Sequence, residues 1–287
     1  MSVMKKIRYI LFLIVFSFIT SSVLALAGEN DRVIKILAIG NSFSADALEQ
    51  HFYDLAKAEG IEVIIGNMYI GGSSLKKHLD NAIDDKPAYS YRKIGVDGKR
   101  VVTKDVALSY ALADEAWDYV SFQQQSGISG QYETWIESLP QLIECVKSRL
   151  PEDVVMMIHQ TWAYDQTSTH KHFVNYDNDQ MVMYNSIMSA VKKISKDTGI
   201  KQVVPSGTAV QNARTTILKD SITRDGYHLH KIYGRYIAAC TWFEAVFKKS
   251  VIGNSYKPED MTAEQCLAAQ KSAHQSVQRP YKISKIK

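Results

Sequence analysis

The feature that most constrains this chain is an alternation. Short apolar runs at Val33 to Ile39, Ile61 to Ile70, Tyr119 to Phe122, Val154 to Ile158 and Gln202 to Val204 are separated by stretches of helical periodicity. The clearest of those stretches are Ala45 to Glu59, Thr134 to Leu150, Met181 to Lys196 and Lys231 to Lys249. Runs that are apolar on nearly every residue suit strands buried on both faces. Strands that alternate with helices build a parallel sheet covered by helices on each side. The pattern therefore predicts an α/β chain. One segment breaks the alternation. Between Tyr89 and Thr103, polar, strand-like flanks surround Val96-Asp97-Gly98-Lys99. Asp-Gly is a strong two-residue hairpin signal, so a β-hairpin is expected as an insertion, near the active face or at a sheet edge. Thr262 to Val277 reads as a last helix packed on the outside.

The 287 residues are 46% hydrophobic and 22% charged, with no low-complexity linker and no internal repeat, so one domain can hold the core. The first residues stand apart. Lys5, Lys6 and Arg8 precede an apolar run from Tyr9 to Leu26, and Ala25-Leu26-Ala27 has the small-x-small form of a cleavage site. This is the three-part pattern of a secretory signal peptide over residues 1–27, leaving a single domain over 28–287. A retained transmembrane anchor is the competing reading, because the run is nearly long enough to span. Cleavage implies export to a bacterial periplasm or exterior, with no stable membrane insertion afterwards. It also removes three positive charges, taking the net charge from +4 to about +1. No electrostatic case for a nucleic-acid partner remains. Cys145, Cys240 and Cys266 are odd in number and widely spaced, and show neither a disulfide framework nor a zinc pattern.

In open α/β sheets the chemistry sits beyond the carboxyl ends of the strands, so four loops carry the functional reading. Gly40-Asn41-Ser42-Phe43-Ser44 follows the first run. A serine there has an exposed hydroxyl beside helix-start N–H groups that can stabilise an oxyanion, although Ser44 as a plain helix cap explains the same pattern. Ile70-Gly71-Gly72-Ser73-Ser74 allows a tight turn with accessible N–H groups, or a simple strand-to-helix turn capped by Ser73 or Ser74. Phe122-Gln123-Gln124-Gln125 ends a buried strand with three amides, which are costly unless they face a polar site or solvent. Arg224-Asp225-Gly226-Tyr227-His228 places a carboxylate and an imidazole three residues apart. That spacing can fix the ring tautomer and leave Nε2 free to take a proton from a serine. His230 is a rival with a less favourable spacing from Asp225.

Together, in the order Ser, Gly, amide, Asp-x-x-His, these loops resemble the SGNH hydrolases, also called GDSL-like esterases, over most of the chain from about Val33 to Phe247. Gly40-Asn41-Ser42 matches the nucleophile block, Gly72 the oxyanion glycine, and Asp225 with His228 the last block. The third block departs, with Gln123-Gln124-Gln125 where the family usually has Gly-x-Asn-Asp. The first block departs too, with Asn41 where Asp is commoner. The resemblance implies a flavodoxin-like three-layer α/β/α sandwich with the inserted hairpin, an open active site, and neither metal nor other cofactor. It implies a catalytic triad of Ser42, Asp225 and His228, with an oxyanion hole from Ser42, Gly72 and an amide from Gln123 or Gln124. The expected activity is hydrolysis of an ester, an O-acetyl group on a carbohydrate, through an acyl-enzyme. A lipase- or thioesterase-like activity and a non-catalytic carbohydrate-binding role on the same fold are the alternatives.

Candidate substrate contacts complete the reading. His159, Trp162 and Tyr164 follow the Val154 to Ile158 run and lie on the active edge by the same rule, where Trp162 could equally pack under a loop. His78, one turn into the helix after Gly72, either touches substrate or sits on a solvated face. His170 and His172 flank Lys171 without a third metal ligand. Arg214 and Arg224 suit either an anionic substrate or neighbouring carboxylates.

Overall fold

The computed structural model describes residues 32–287, so the expected signal peptide lies outside the described residues. The apolar runs form strands β1 (Ile34–Gly40), β2 (Val63–Tyr69), β5 (Tyr119–Phe122), β6 (Val155–His159) and β7 (Gln202–Val204). All five are parallel neighbours in the order β2-β1-β5-β6-β7. The Asp-Gly segment is the expected hairpin, β3 (Tyr89–Ile94) and β4 (Arg100–Val106). It extends the sheet antiparallel beyond β2, giving the seven-strand order β4-β3-β2-β1-β5-β6-β7. The pairing of β3 with β4 slips between Tyr89 and Tyr91, and Asp105 takes a φ of 55°.

Helices cover both faces. One layer holds α1 (Ser42–Leu48), α2 (Phe52–Ala58), α8 (Ser206–Ala213), α9 (Tyr233–Phe247) and α10 (Ala263–Gln278) in mutual contact. The other holds α3 (Leu75–Ile83), α4 (Leu108–Asp114), α5 (Tyr132–Ile136), α6 (Leu139–Lys147) and α7 (Gln180–Thr198). This is an α/β/α sandwich. Its core runs along both sheet faces, with Ile36, Leu37, Val120 and Ile158 fully buried. None of the helices is long and apolar enough to cross a membrane, among the described residues.

Two predicted helices are each broken in two. Ala45 to Glu59 divides into α1 and α2 because polar side chains at the junction are drawn into the protein. Glu49 accepts from Asn67, Arg92 and Arg100, and His51 bonds Lys231 O and Tyr256 OH. Thr134 to Leu150 divides into α5 and α6, with Pro140 in the first turn of α6. Inside a continuous helix that proline would lack an N–H and clash with the preceding turn. Every residue of helix α8 is buried.

The parallel order reverses at β1, since the chain steps from β1 to β2 on one side and to β5 on the other. Such a switch point opens a crevice between the loops that follow the two diverging strands. Register brings Gly40, Tyr69 and Phe122 to one end of the sheet. The loops after β1, β2 and β5 therefore meet there.

Candidate active site

Ser42 is the first residue of α1, and Asn41 is its cap. The Asn41 side chain accepts from Phe43 N at 3.0 Å. Ser44, the alternative cap, is turned inward instead, with its Oγ 2.8 Å from Asn41 O and 2.9 Å from Asn67 Oδ1. Ser42 thus stays half-buried with its hydroxyl at the crevice.

His228 reaches it from the loop before α9. His228 Nε2 lies 2.9 Å from Ser42 Oγ, and Nδ1 lies 2.7 Å from Asp225 Oδ2. The other Asp225 oxygen accepts from the backbone N–H of His228 at 2.7 Å and of Tyr227 at 3.2 Å. Partial desolvation pushes the Asp225 carboxyl up. The His228 ring and these N–H groups outweigh it and hold the carboxyl below its ordinary value. An ionised Asp225 then fixes the proton on His228 Nδ1 and leaves Nε2 as the acceptor facing Ser42. His230 has no part in this line; its ring stacks on Tyr233 at 4.9 Å.

Gly72 adopts a φ of +63°, which a side chain would strain, and it lines the same cavity as Ser42. Among the described residues, the N–H groups of Ser42 and Gly72 have no hydrogen-bond partner. The cavity measures about 290 Å³ and is bounded by Tyr69, Gly71, Gln125, Ser126, His170 and Tyr227 besides the residues already described.

The two glutamines expected at the oxyanion hole are occupied elsewhere, and this corrects the expectation. Gln123 is buried, donating to Asn41 Oδ1 at 2.7 Å and facing His159 Nδ1 at 3.1 Å. Gln124 donates to Thr134 O and accepts from the N–H groups of Leu75 and Gln125, each at 2.9 Å. The next amide, Gln125, lines the cavity.

All four expected substrate contacts are also corrected, because all four are buried. His78 lies between Ser73 Oγ at 2.7 Å and Tyr89 OH at 3.2 Å. His159 bonds Gln123 and Ser206 and meets Trp242 edge-on. Trp162 stacks on Phe43 at 4.2 Å and donates to Tyr227 O at 2.7 Å, so it packs under the loop. Tyr164 bonds Ser126 and is covered by His170 and Tyr227. The stretch after β6 is roofed by the Asp-x-x-His loop, pinned where Asp165 N donates to Gly226 O at 2.8 Å.

Tyr69, His170, Tyr227 and Gln125 form walls that sequence reasoning missed. The end of β2 offered a signal for Tyr69, and the Asp-x-x-His segment itself contained Tyr227. Arg92 of β3 stacks on the Tyr69 ring at 3.5 Å, so the hairpin supports one wall. His170 packs on Tyr227 at 4.6 Å, and burial, with His172, Lys171 and His228 nearby, lowers its pKa. Arg214 and Arg224 are paired with Asp165 and Asp46. No group of three or more His, Cys, Asp or Glu side chains is placed to hold a metal, among the described residues.

Sheet order, flanking helices and site position define an α/β protein with the SGNH-hydrolase fold. A protein from Slackia heliotrinireducens, provisionally assigned as an SGNH hydrolase, has this fold at a TM-score of 0.51 and 23% identity, over 75% of this chain and 99% of the other. More narrowly, the chain belongs to the DUF4886 family, a domain of unknown function, which matches residues 35–276. A DUF4886 family protein from Bacteroides uniformis is 49% identical, with a TM-score of 0.88 over 89% of this chain and 98% of that one. No curated protein matches this sequence.

Proposed function

We propose that this protein is a serine esterase with Ser42 as nucleophile, His228 as general base and acid, and Asp225 as the residue that orients His228. The observation that carries this reading is the unbroken line from Asp225 Oδ2 through His228 to Ser42 Oγ, with contacts of 2.7 and 2.9 Å. His228 Nε2 takes the Ser42 proton as Oγ bonds the ester carbonyl carbon, and the carbonyl oxygen becomes an oxyanion. The free N–H groups of Ser42 and Gly72 meet that charge, with Gln125 as the third donor in place of Gln123 and Gln124. Collapse breaks the bond to the alcohol, which leaves with the proton from His228. Water, deprotonated by His228, then releases the acid and restores Ser42.

The substrate we propose is a short acyl ester, an O-acetyl group on a carbohydrate. The small cavity and its mixture of aromatic and polar walls favour a short acyl group on a hydroxyl-rich alcohol over a long chain. Export through the N-terminal segment would bring the enzyme to such substrates outside the cytoplasm. Protein starting at Gly28 should hydrolyse p-nitrophenyl acetate, and Ser42→Ala should lower kcat by about 10³-fold or more while staying folded. Equal rates for the two, or no activity from wild type on an ester panel that includes acetylated glycans, would refute the esterase. Faster turnover of long-chain esters would redirect the substrate to lipids.

A further inference from the structure

One side chain ties together three of the loops around Ser42. Asn41 Nδ2 donates to Ser73 O at 3.0 Å, while Asn41 Oδ1 accepts from Phe43 N at 3.0 Å and from Gln123 Nε2 at 2.7 Å. A carbonyl can only accept and an N–H can only donate, so the two backbone partners fix which end of the Asn41 amide is which. That orientation propagates. Gln123 must offer its NH₂ to Asn41, so its Oε1 faces His159 Nδ1, which then carries the ring proton. His159 Nε2 accepts from Ser206 Oγ at 3.1 Å. All four side chains are buried, and burial pushes the His159 imidazole down to about 3, so the ring is neutral with a defined tautomer.

We propose that Asn41 is a positioning residue that sets the Gly72 N–H relative to the Ser42 N–H, and that Ser206, His159 and Gln123 hold it in place. The proposal rests on the reading of Ser42 as an esterase nucleophile. Ser73 directly follows Gly72, so a tether on its carbonyl restrains the adjoining backbone. The other bonds of Ser73 run to Ile70 and His78 within its own segment. Two further links reach the nucleophile loop, a longer 3.4 Å contact from Ser73 Oγ to Gly40 O and the bond from Ile70 N to Gly40 O at 3.2 Å. Oxyanion donors act only when they are already aimed at the developing charge, and the Asn41 tether acts on the carbonyl of the residue next to Gly72. A carboxylate at position 41 would keep both Oδ1 bonds but present a second anionic oxygen to Ser73 O in place of a donor. The amide at this position is thus matched to Gln123 and to Ser73 O together.

Asn41→Asp is nearly isosteric and replaces that donor with an anionic oxygen. The variant should lose about 10- to 100-fold in kcat on p-nitrophenyl acetate with KM within about threefold, because the loss falls on transition-state stabilisation. Amide hydrogen exchange over residues 71–73 should become faster. A kcat within twofold of wild type, or a loss of activity with unchanged exchange at 71–73, overturns the proposal. If Asn41→Asp does not fold, Gln123→Met takes its place: a 3- to 10-fold lower kcat with faster exchange at 71–73 is expected, and wild-type behaviour overturns it. Failure of the esterase reading is visible separately, as wild type no more active than Ser42→Ala, and exchange at 71–73 then decides alone whether Asn41 restrains the Gly72 loop.

Discussion

Asp46 anchors the segment that presents His228. Its carboxylate is buried and accepts from Leu229 N at 2.9 Å, from Arg224 Nη1 at 3.1 Å and from Arg235 Nη2 at 2.5 Å. Asp46→Ala would leave two guanidiniums without their carboxylate and free the backbone next to His228. The expected cost is about 3 kcal/mol, the low end for breaking a buried ion pair, because both arginines keep solvent contact. Urea denaturation measures that loss, and kcat should fall with it as His228 loses its anchor; unchanged values of both would show the network to be dispensable. Strand-end position and the three-residue Asp-His spacing made Ser42, Asp225 and His228 candidates, and the resemblance to the SGNH blocks singled them out together with Gly72. The glutamines were not. Three adjacent amides leave a strand end in different directions, so Gln123 enters the interior, Gln124 reaches α5 and Gln125 rims the cavity. No periodicity announces which is which.

Element boundaries follow the same division. The parallel strands announce themselves by runs of apolar residues, and the hairpin by its Asp-Gly turn. Helix α8 is short and buried on all sides, so its polar residues Ser206, Thr208, Gln211 and Asn212 mark no solvent face. Its packing explains why it begins Ser206-Gly207. A Cβ on Gly207 would lie 2.1 Å from Thr161 O, so only glycine lets α8 approach the stretch after β6. Gly207→Ala should destabilise by about 1–3 kcal/mol through overpacking. It should also displace Ser206 from His159. An unchanged urea midpoint would mean that α8 can move away without cost. The same physics misdirected the reading of His159, Trp162 and Tyr164. The end-of-strand rule locates the loop correctly, but only tertiary packing reveals that the Asp-x-x-His segment lies on top of it.

For the molecule as a whole, His78 and His159 set a pH dependence. Burial pushes both imidazoles from 6.5 down to about 3, although a hydrogen bond with Gly40 opposes the shift in His78. At these two residues the unfolded chain therefore binds more protons than the folded one in the window between those values, and the smaller downward shifts of His51, His170 and His230 act in the same direction. Stability is full above about pH 6.5 and falls as pH drops towards 3, by roughly 1.4 kcal/mol per pH unit for each fully titrating histidine. Thermal melts between pH 7 and pH 5, above the main carboxylate range, should show the midpoint falling, and His159→Gln should make the decline shallower. A flat profile would mean that the buried rings protonate without unfolding. The sheet itself ends on β4, whose outer side pairs with no other strand among the described residues and carries exposed Val101 and Val102. A flat strand of that kind is a template on which other chains can assemble. Here Arg100, Lys104 and Asp105 flank the exposed valines, and the slipped pairing and left-handed backbone at Asp105 break the regularity of the edge. The irregularity that looks like a flaw in the hairpin thus makes this edge a poor template for fibre growth.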